Sequence, residues 1–484
     1  MILKTALMNS CVSSIYKSLL LLAFLSFAVH TYSQVADSLA KKKYVIDSIC
    51  VTGNKKTRHL IILREMNFHE GDSLSEMELR TRSMRCQQNL MNTSLFVFDT
   101  VYYKIDTATQ KVKVLVSVKE RWYFWPSLIL AVQDRNFNAW WYQEHGDLAR
   151  LNYGIGLTMY NIFGSNQTLT FIFRRGYTEQ YGAGYRIPYI NKKKTIGLTA
   201  SYYFFRNNQV WYRTVDNALA YYTDKLQYVR EENETKIGMT YRHKLYLRNS
   251  LELFYKTSSV QDTVVRLNSD YFSPQQTAIR YFSVQYRTTY DVRDYKPYAL
   301  KGFLAELFIE KDGLNVLKGE SPDNLFFYGG FRHHFKICNR LYMMNSIKGR
   351  YMAQYTPMYY FNRALGFSEL VRGYEYYVVD GQSYGLLKSN LRFQVIKPRA
   401  FRIPLGFLHE FTTVGYSLYA GPFLDAGYVR DDYFAKYNPL ANQWLVGYGF
   451  GIDLVTYYDM VFRTEFSVNK MGQPGIYLHL NAPL

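Results

Sequence analysis

Two short stretches hold the residues able to do specific chemistry. Val371-Arg372-Gly373-Tyr374 lies in a loop-like segment, 355–383, between the strand-like runs Arg340–Gln354 and Tyr384–Lys397. Pro422-Phe423-Leu424-Asp425-Ala426-Gly427 sets a carboxylate in the middle of an otherwise apolar strand. A guanidinium meets a carboxylate through two parallel N–H···O bonds, which a lysine ammonium does not reproduce. Gly373, without a Cβ, lets a loop backbone come close to a wall. Side chains alternate along a strand, so Phe423, Asp425 and Gly427 share one face and Leu424, Ala426 and Tyr428 the other. Arg372 and Asp425 are therefore expected as partners inside something closed, on a loop that folds back into it. The alternative leaves Arg372 solvated and Asp425 facing water.

This is recognition chemistry and not catalysis. There is no Gly-x-Ser-x-Gly elbow and no Ser/His/Asp set. The histidines are dispersed, and the adjacent His333-His334 point to opposite faces of a strand. No Cys/His spacing marks a zinc site. No enzyme, metal or cofactor is expected. Cys50 and Cys86 could bridge if a strand and a helix bring them together; otherwise both are small buried hydrophobes.

The elements that must position the pair follow from composition. The 484 residues include 47 Tyr and 32 Phe, yet the mean hydropathy is only −0.24. Strands with one face to lipid and one to water give that balance. The apolar run Leu19–Val29 follows Lys4 and Lys17, which reads as a signal peptide, residues 1–33, with 34–43 a flexible start. A mature membrane protein without a spanning helix must close its backbone hydrogen bonds as a barrel. The net charge of +19 is scattered along the chain, and the export signal argues against nucleic acid. Lumen, turns and anionic headgroups account for the charge instead.

Residues 44–120 read as a small α/β unit in the order β-α-α-β-β. Tyr44–Thr52 is a strand, Thr57 caps a helix through Asn67, Ser75 and Glu78 form a capping box for Glu76–Met91, and 96–105 and 111–119 form a hairpin. Ile49-x-Val51-x-Gly53-Asn54-x-x-Thr57, Ile62-Leu63-Arg64-Glu65, Gly71-Asp72, Leu95-Phe96 and Val114-x-Val116-x-Val118-x-Glu120 resemble a polypeptide-transport-associated (POTRA) domain. The resemblance implies a periplasmic module that binds accessory subunits or unfolded clients by edge pairing.

From Arg121 helical periodicity disappears. Alternating runs near 122–132, 151–160, 167–175, 180–189, 195–206, 234–243, 248–258, 275–290, 299–310, 324–337, 340–354, 384–396, 415–429, 444–455, 460–468 and 475–482 give about sixteen membrane strands. Residues 121–484 are thus expected to be a transmembrane antiparallel β-barrel with an inserted loop at 355–383. Asn207–Asn233 is expected to hold an extracellular hairpin around Val210–Tyr222, and Pro398–Val414 a long connection.

Gly366-Phe367-x-x-Leu370-Val371-Arg372-Gly373-Tyr374, Phe423-x-Asp425-x-Gly427 and Gly447-x-Gly449-x-Gly451 resemble the BamA/TamA outer-membrane assembly family, whose wider superfamily includes two-partner secretion transporters. The resemblance implies an Arg-Gly-aromatic loop entering the lumen and meeting the strand aspartate. It implies a Gram-negative outer membrane, a periplasmic 44–120 unit, and client polypeptides that are inserted or translocated. The chain departs from the family in having one POTRA-like unit, and Ser389-Asn390 where a glutamate is common. Pro126 in the first strand cannot donate to a ladder, and the last run is short and follows Pro474-Gly475. Their seam is expected to be the weakest in the barrel. The alternative function is a passive outer-membrane pore or receptor.

Overall fold

The computed structural model describes residues 42–132, 137–319, 322–402, 413–456 and 460–481. The expected signal peptide, and the flexible start up to residue 41, lie outside these.

Alternation in β1 (Lys43–Thr52) buries Tyr44 and Ile46, and the chain then forms α1 (His59–Leu63), β2 (Ser73–Ser75), α2 (Glu76–Met91), β3 (Phe96–Asp106) and β4 (Lys111–Glu120). The sheet order is β2-β1-β4-β3, with β1 parallel to β4. Glu78 Oε2 accepts from Ser75 N at 2.8 Å and Ser75 Oγ accepts from Glu78 N, the reciprocal bonds of a capping box. Leu79, Cys86 and Leu90 of α2 join Ile46, Val112, Val114 and Val116 in one core.

Two expectations fail in this unit, and a third holds only in part. The first helix is five residues, not Thr57–Asn67, and Arg58 precedes it with no side-chain cap. Thr57 is held instead by Glu120 at the end of β4: its N and Oγ both donate to Glu120 Oε1 at 2.6 Å. A short strand, β2, separates the helices. Cys50 and Cys86 are both free; Cys86 is buried as a small hydrophobe, while Cys50 is exposed. Burial pushes the Cys86 thiol up to about 11.

Sixteen antiparallel strands follow in one sheet: β5 (Phe124–Val132), β6 (Leu151–Ile162), β7 (Gln167–Gly176), β8 (Thr178–Ile187), β9 (Ile196–Asn207), then β12 (Arg230–Tyr241), β13 (Leu247–Val260), β14 (Ala278–Asp291), β15 (Gly302–Asp312), β16 (Asn324–Cys338), β17 (Leu341–Gln354), β18 (Ser383–Arg402), β19 (Thr413–Arg430), β20 (Trp444–Thr456), β21 (Val461–Asn469) and β22 (Pro474–Asn481). The hairpin β10 (Gln209–Val215) and β11 (Ala218–Thr223) forms its own sheet, so β9 pairs directly with β12. Two short helices, α3 (Phe137–Tyr142) and α4 (Asp262–Leu267), lie in connections. The expected count of sixteen strands holds.

The Pro398–Val414 connection is a correction. β18 runs through Pro398 to Arg402 and pairs with β19 down to Arg402↔Thr413. Pro398 is tolerated because the register shifts between Ile396 and Arg399, where no ladder bond is required of it. Residues 403–412 lie outside the described residues.

One face of the sheet is apolar and exposed. Leu128 and Leu130 of β5 are 89% and 76% exposed, and Tyr448, Phe450 and Ile452 of β20 alternate with buried or half-buried neighbours. Water would penalise a continuous band of this kind; lipid does not. Among the described residues no helix is long and apolar enough to cross a membrane. The inner face surrounds a chamber of about 470 Å³ lined from the 293–299 turn and from β16, β17, β18, β21 and β22. Among the described residues no ladder joins β5 to β22, which stand at the two ends of the sheet.

Candidate functional site

The connection between β17 and β18 folds inward. Leu365 and Val379 bridge its two arms, and Val371 and Tyr374 are buried with Leu386, Val429 and Leu445 of the wall. This apolar seat brings Arg372 against β19. Its backbone N donates to Asp425 Oδ2 at 3.2 Å, its Nε to the same oxygen at 2.8 Å, and its Nη2 to Oδ1. Nη1 reaches past Asp425 to Glu465 Oε1 on β21 at 3.0 Å. The guanidinium lies over the Phe423 ring, 3.6 Å from its centroid. Asp425 is 0% exposed, and Lys388 Nζ stands 3.7 Å from it. Arginine suits this place because its planar fork serves two carboxylates and a ring face together.

Two glycines make the approach possible. Gly373 has φ +90°, and Asn469 Nδ2 donates to its carbonyl at 3.0 Å. A Cβ on Gly447 would lie 1.7 Å from the Arg372 carbonyl oxygen, so β20 has a gap where the loop enters. The third strand residue, Gly427, faces Val371.

The seam residues take no part in these bonds, although Pro474 pairs with Val468, which borders Gly373. Pro126 pairs with Leu157 of β6, and Pro474 and Gly475, inside β22, pair with Val468 and Ser467 of β21. Between the two sheet ends, α3 leans on β22. Asn138 Nδ2 donates to the Leu478 carbonyl at 3.4 Å, and Leu478 N donates to Asn138 Oδ1 at 3.3 Å. One side-chain amide thus occupies a donor and an acceptor of the edge strand.

Sequence reasoning missed Glu465 as the second anchor of Arg372, Asn138 as the edge contact, and Asn217. The last sits at the β10–β11 tip with φ +60° and clamps the loop: its carbonyl accepts from Val378 N and its Nδ2 donates to Val378 O, both at 2.8 Å. Glu465 had a signal, an acid on the inner face of its strand. Asn138 and Asn217 had none.

Residues 44–121 match the family model described as POTRA, surface antigen variable number repeat. Residues 44–121 form a POTRA-like unit. Solved structures similar to the chain include BamA from Haemophilus ducreyi lacking POTRA domains 1–3, at 14% identity and TM-score 0.48, covering 90% of this chain and 83% of that one. CdiB from Escherichia coli matches at 10% identity and TM-score 0.48, covering 93% and 92%, and CdiB from Acinetobacter baumannii at 11% and 0.48, covering 91% and 73%. Among curated proteins none matches the chain.

The POTRA-like unit is bolted to the short barrel turns. Glu65 takes Arg242 Nη1 and Nη2 at 2.6 and 2.7 Å, and Arg242 also donates to Tyr189 at 2.9 Å. Burial pushes the Glu65 carboxyl up, but the Arg242 guanidinium outweighs it and holds the carboxyl below the usual carboxylate range. Arg85 Nη2 donates to the Val292 carbonyl at 2.9 Å, and Arg58 N to the Gly164 carbonyl at 2.9 Å. Asn161 Nδ2 donates to Thr57 Oγ at 2.8 Å. The short β2 and the long β3 are left as the edges of the unit's sheet.

Proposed function

We propose that the chain assembles, inserts or translocates other polypeptides at the outer membrane of a Gram-negative bacterium, through the seam between β5 and β22. On this reading residues 1–33 are a cleaved signal peptide, 34–43 a flexible start, 44–120 the periplasmic POTRA-like domain and 121–484 the barrel with its inserted loop. One observation carries it: the sixteen-stranded sheet ends in two strands with no ladder between them among the described residues, and a single asparagine covers part of one edge. An exposed edge presents unpaired N–H and C=O groups that template another strand. The POTRA-like match and the unpaired flank of β3 support a client or accessory subunit handed over from the periplasmic side. Arg372 on Asp425 is the anchor that keeps the loop in the lumen. No covalent step or nucleotide is involved.

A passive pore is the weaker reading, because the loop fills part of the lumen and the POTRA-like unit lies on the short turns. The test is a crosslink between β5 and β22 in cells, scored by a census of outer-membrane and surface-exported proteins. Loss of client assembly, restored by cleaving the crosslink, is expected. Normal assembly with the strands locked, together with single-channel conductance, would leave only the pore.

A further inference from the structure

Three side chains near the loop are spaced as ligands and not as hydrogen-bond partners. Glu375, three residues beyond Arg372, Glu465 of β21 and His479 of β22 bring one ligand atom each within 4.8 Å of the others. His479 Nε2 is buried without a hydrogen-bond partner, 3.4 Å from Glu465 Oε2 and 3.7 Å from Glu375 Oε1. An N–H···O bond to a carboxylate would close to about 2.7–2.9 Å. A tetrahedral ion with bonds of about 2.0–2.1 Å holds its ligand atoms roughly 3.4 Å apart.

The other oxygen of each carboxylate is already committed. Glu465 Oε1 accepts from Arg372 Nη1 at 3.0 Å, and Glu375 Oε2 accepts from Gly373 N at 2.8 Å. Such outer bonds orient a ligand oxygen and fix its direction. Arg463 also approaches Glu465, at 3.7 Å, but on the committed Oε1. The lumen chamber is lined by Glu465 and His479, which supplies an entry path and room for a water as fourth ligand. One imidazole and two carboxylates suit a divalent first-row transition ion, and three protein ligands with one open position suit Zn²⁺.

We propose that Glu375, Glu465 and His479 form a binding site for one divalent transition-metal ion, with Zn²⁺ as the fitting occupant. The ion joins the inserted loop to the last two strands. Sequence spacing could not disclose it, since the ligands stand about ninety and fourteen positions apart and meet only across the lumen. The site stands whether or not the seam opens.

The test uses the full chain in detergent micelles after chelation. Co²⁺ titration is expected to give one saturable equivalent with visible d–d absorption, displaced by Zn²⁺. His479→Asn and Glu375→Gln, each checked for the heat-modifiable migration of a folded barrel, should each weaken binding by tenfold or more. In the unaltered chain Zn²⁺ should slow diethylpyrocarbonate modification of His479 several-fold and leave the other histidines unchanged. Absence of a saturable equivalent, binding that survives both substitutions, or unprotected His479 would overturn the site.

Discussion

Arg372 makes three bonds to Asp425 and one to Glu465, so its replacement tests geometry as well as charge. Removing one partner of a buried pair costs about 3–5 kcal/mol. Arg372→Lys keeps the charge but loses the fork, and most of that penalty is expected as a lower urea midpoint and a loop open to protease. Asp425→Asn should cost a similar amount. Asp99 in β3 gives a different test: it is 1% exposed, and burial pushes its carboxyl up to about 7. The unfolded chain releases that proton near pH 4 while the folded unit keeps it until about 7, so stability falls as pH rises between them. Asp99→Asn should remove this slope and add a few kcal/mol above neutrality, read from hydrogen-exchange protection of β4 against pH. Asp425 stood out as a carboxylate in an apolar strand, whereas Arg372 was singled out by its Arg-Gly-aromatic loop motif and the resemblance that motif carries. Glu465 was legible only as an inward acid; which loop atom it meets depends on how distant strands face one another across a lumen, and no local pattern encodes that.

At the scale of elements, the period-two signal was strong because the strands carry one exposed apolar face and one inner face. Boundaries were weaker. The first strand starts at Phe124 instead of 122, and β18 continues through Pro398 where a register shift removes the need for its amide. The first POTRA-like helix was overextended because Thr57 reads as a cap, whereas the Glu120 carboxylate, sixty-three positions later, claims its hydroxyl. Strand β20 offers the clearest element-scale prediction. Gly447→Ala places a methyl against the Arg372 carbonyl, so either the loop backs out or the ladders of β20 with β19 and β21 shift. Faster proteolysis within 355–383, in a barrel that still shows heat-modifiable migration, is the expected outcome. A loop that stays protected would mean that β20 yields instead.

For the whole molecule, the bond between Glu65 and Arg242 decides how the POTRA-like unit sits. Glu65 is depressed when folded, so docking is fully stabilised above the ordinary carboxylate range and weakens as pH falls through the depressed value. Glu65→Gln should loosen the unit at neutral pH by a few kcal/mol, since it strands a buried guanidinium. Pulsed electron–electron distances between a label on α2 and one on the 292–296 turn should broaden in the variant and in acid, while the barrel keeps its strand content.

At its Arg372-Gly373 corner the loop takes its polar anchors, Asp425, Glu465 and Asn469, from β19 and β21, next to the sheet end at β22, whereas its outgoing arm is clamped by Asn217 and Glu369 is held by Lys348 of β17. A door whose bolt is mounted on the swinging leaf carries the bolt along. An outward tilt of that terminal panel would pull the Arg372 corner along while Asn217 and Lys348 hold the rest of the loop, so widening the gap would stretch the plug between two mountings.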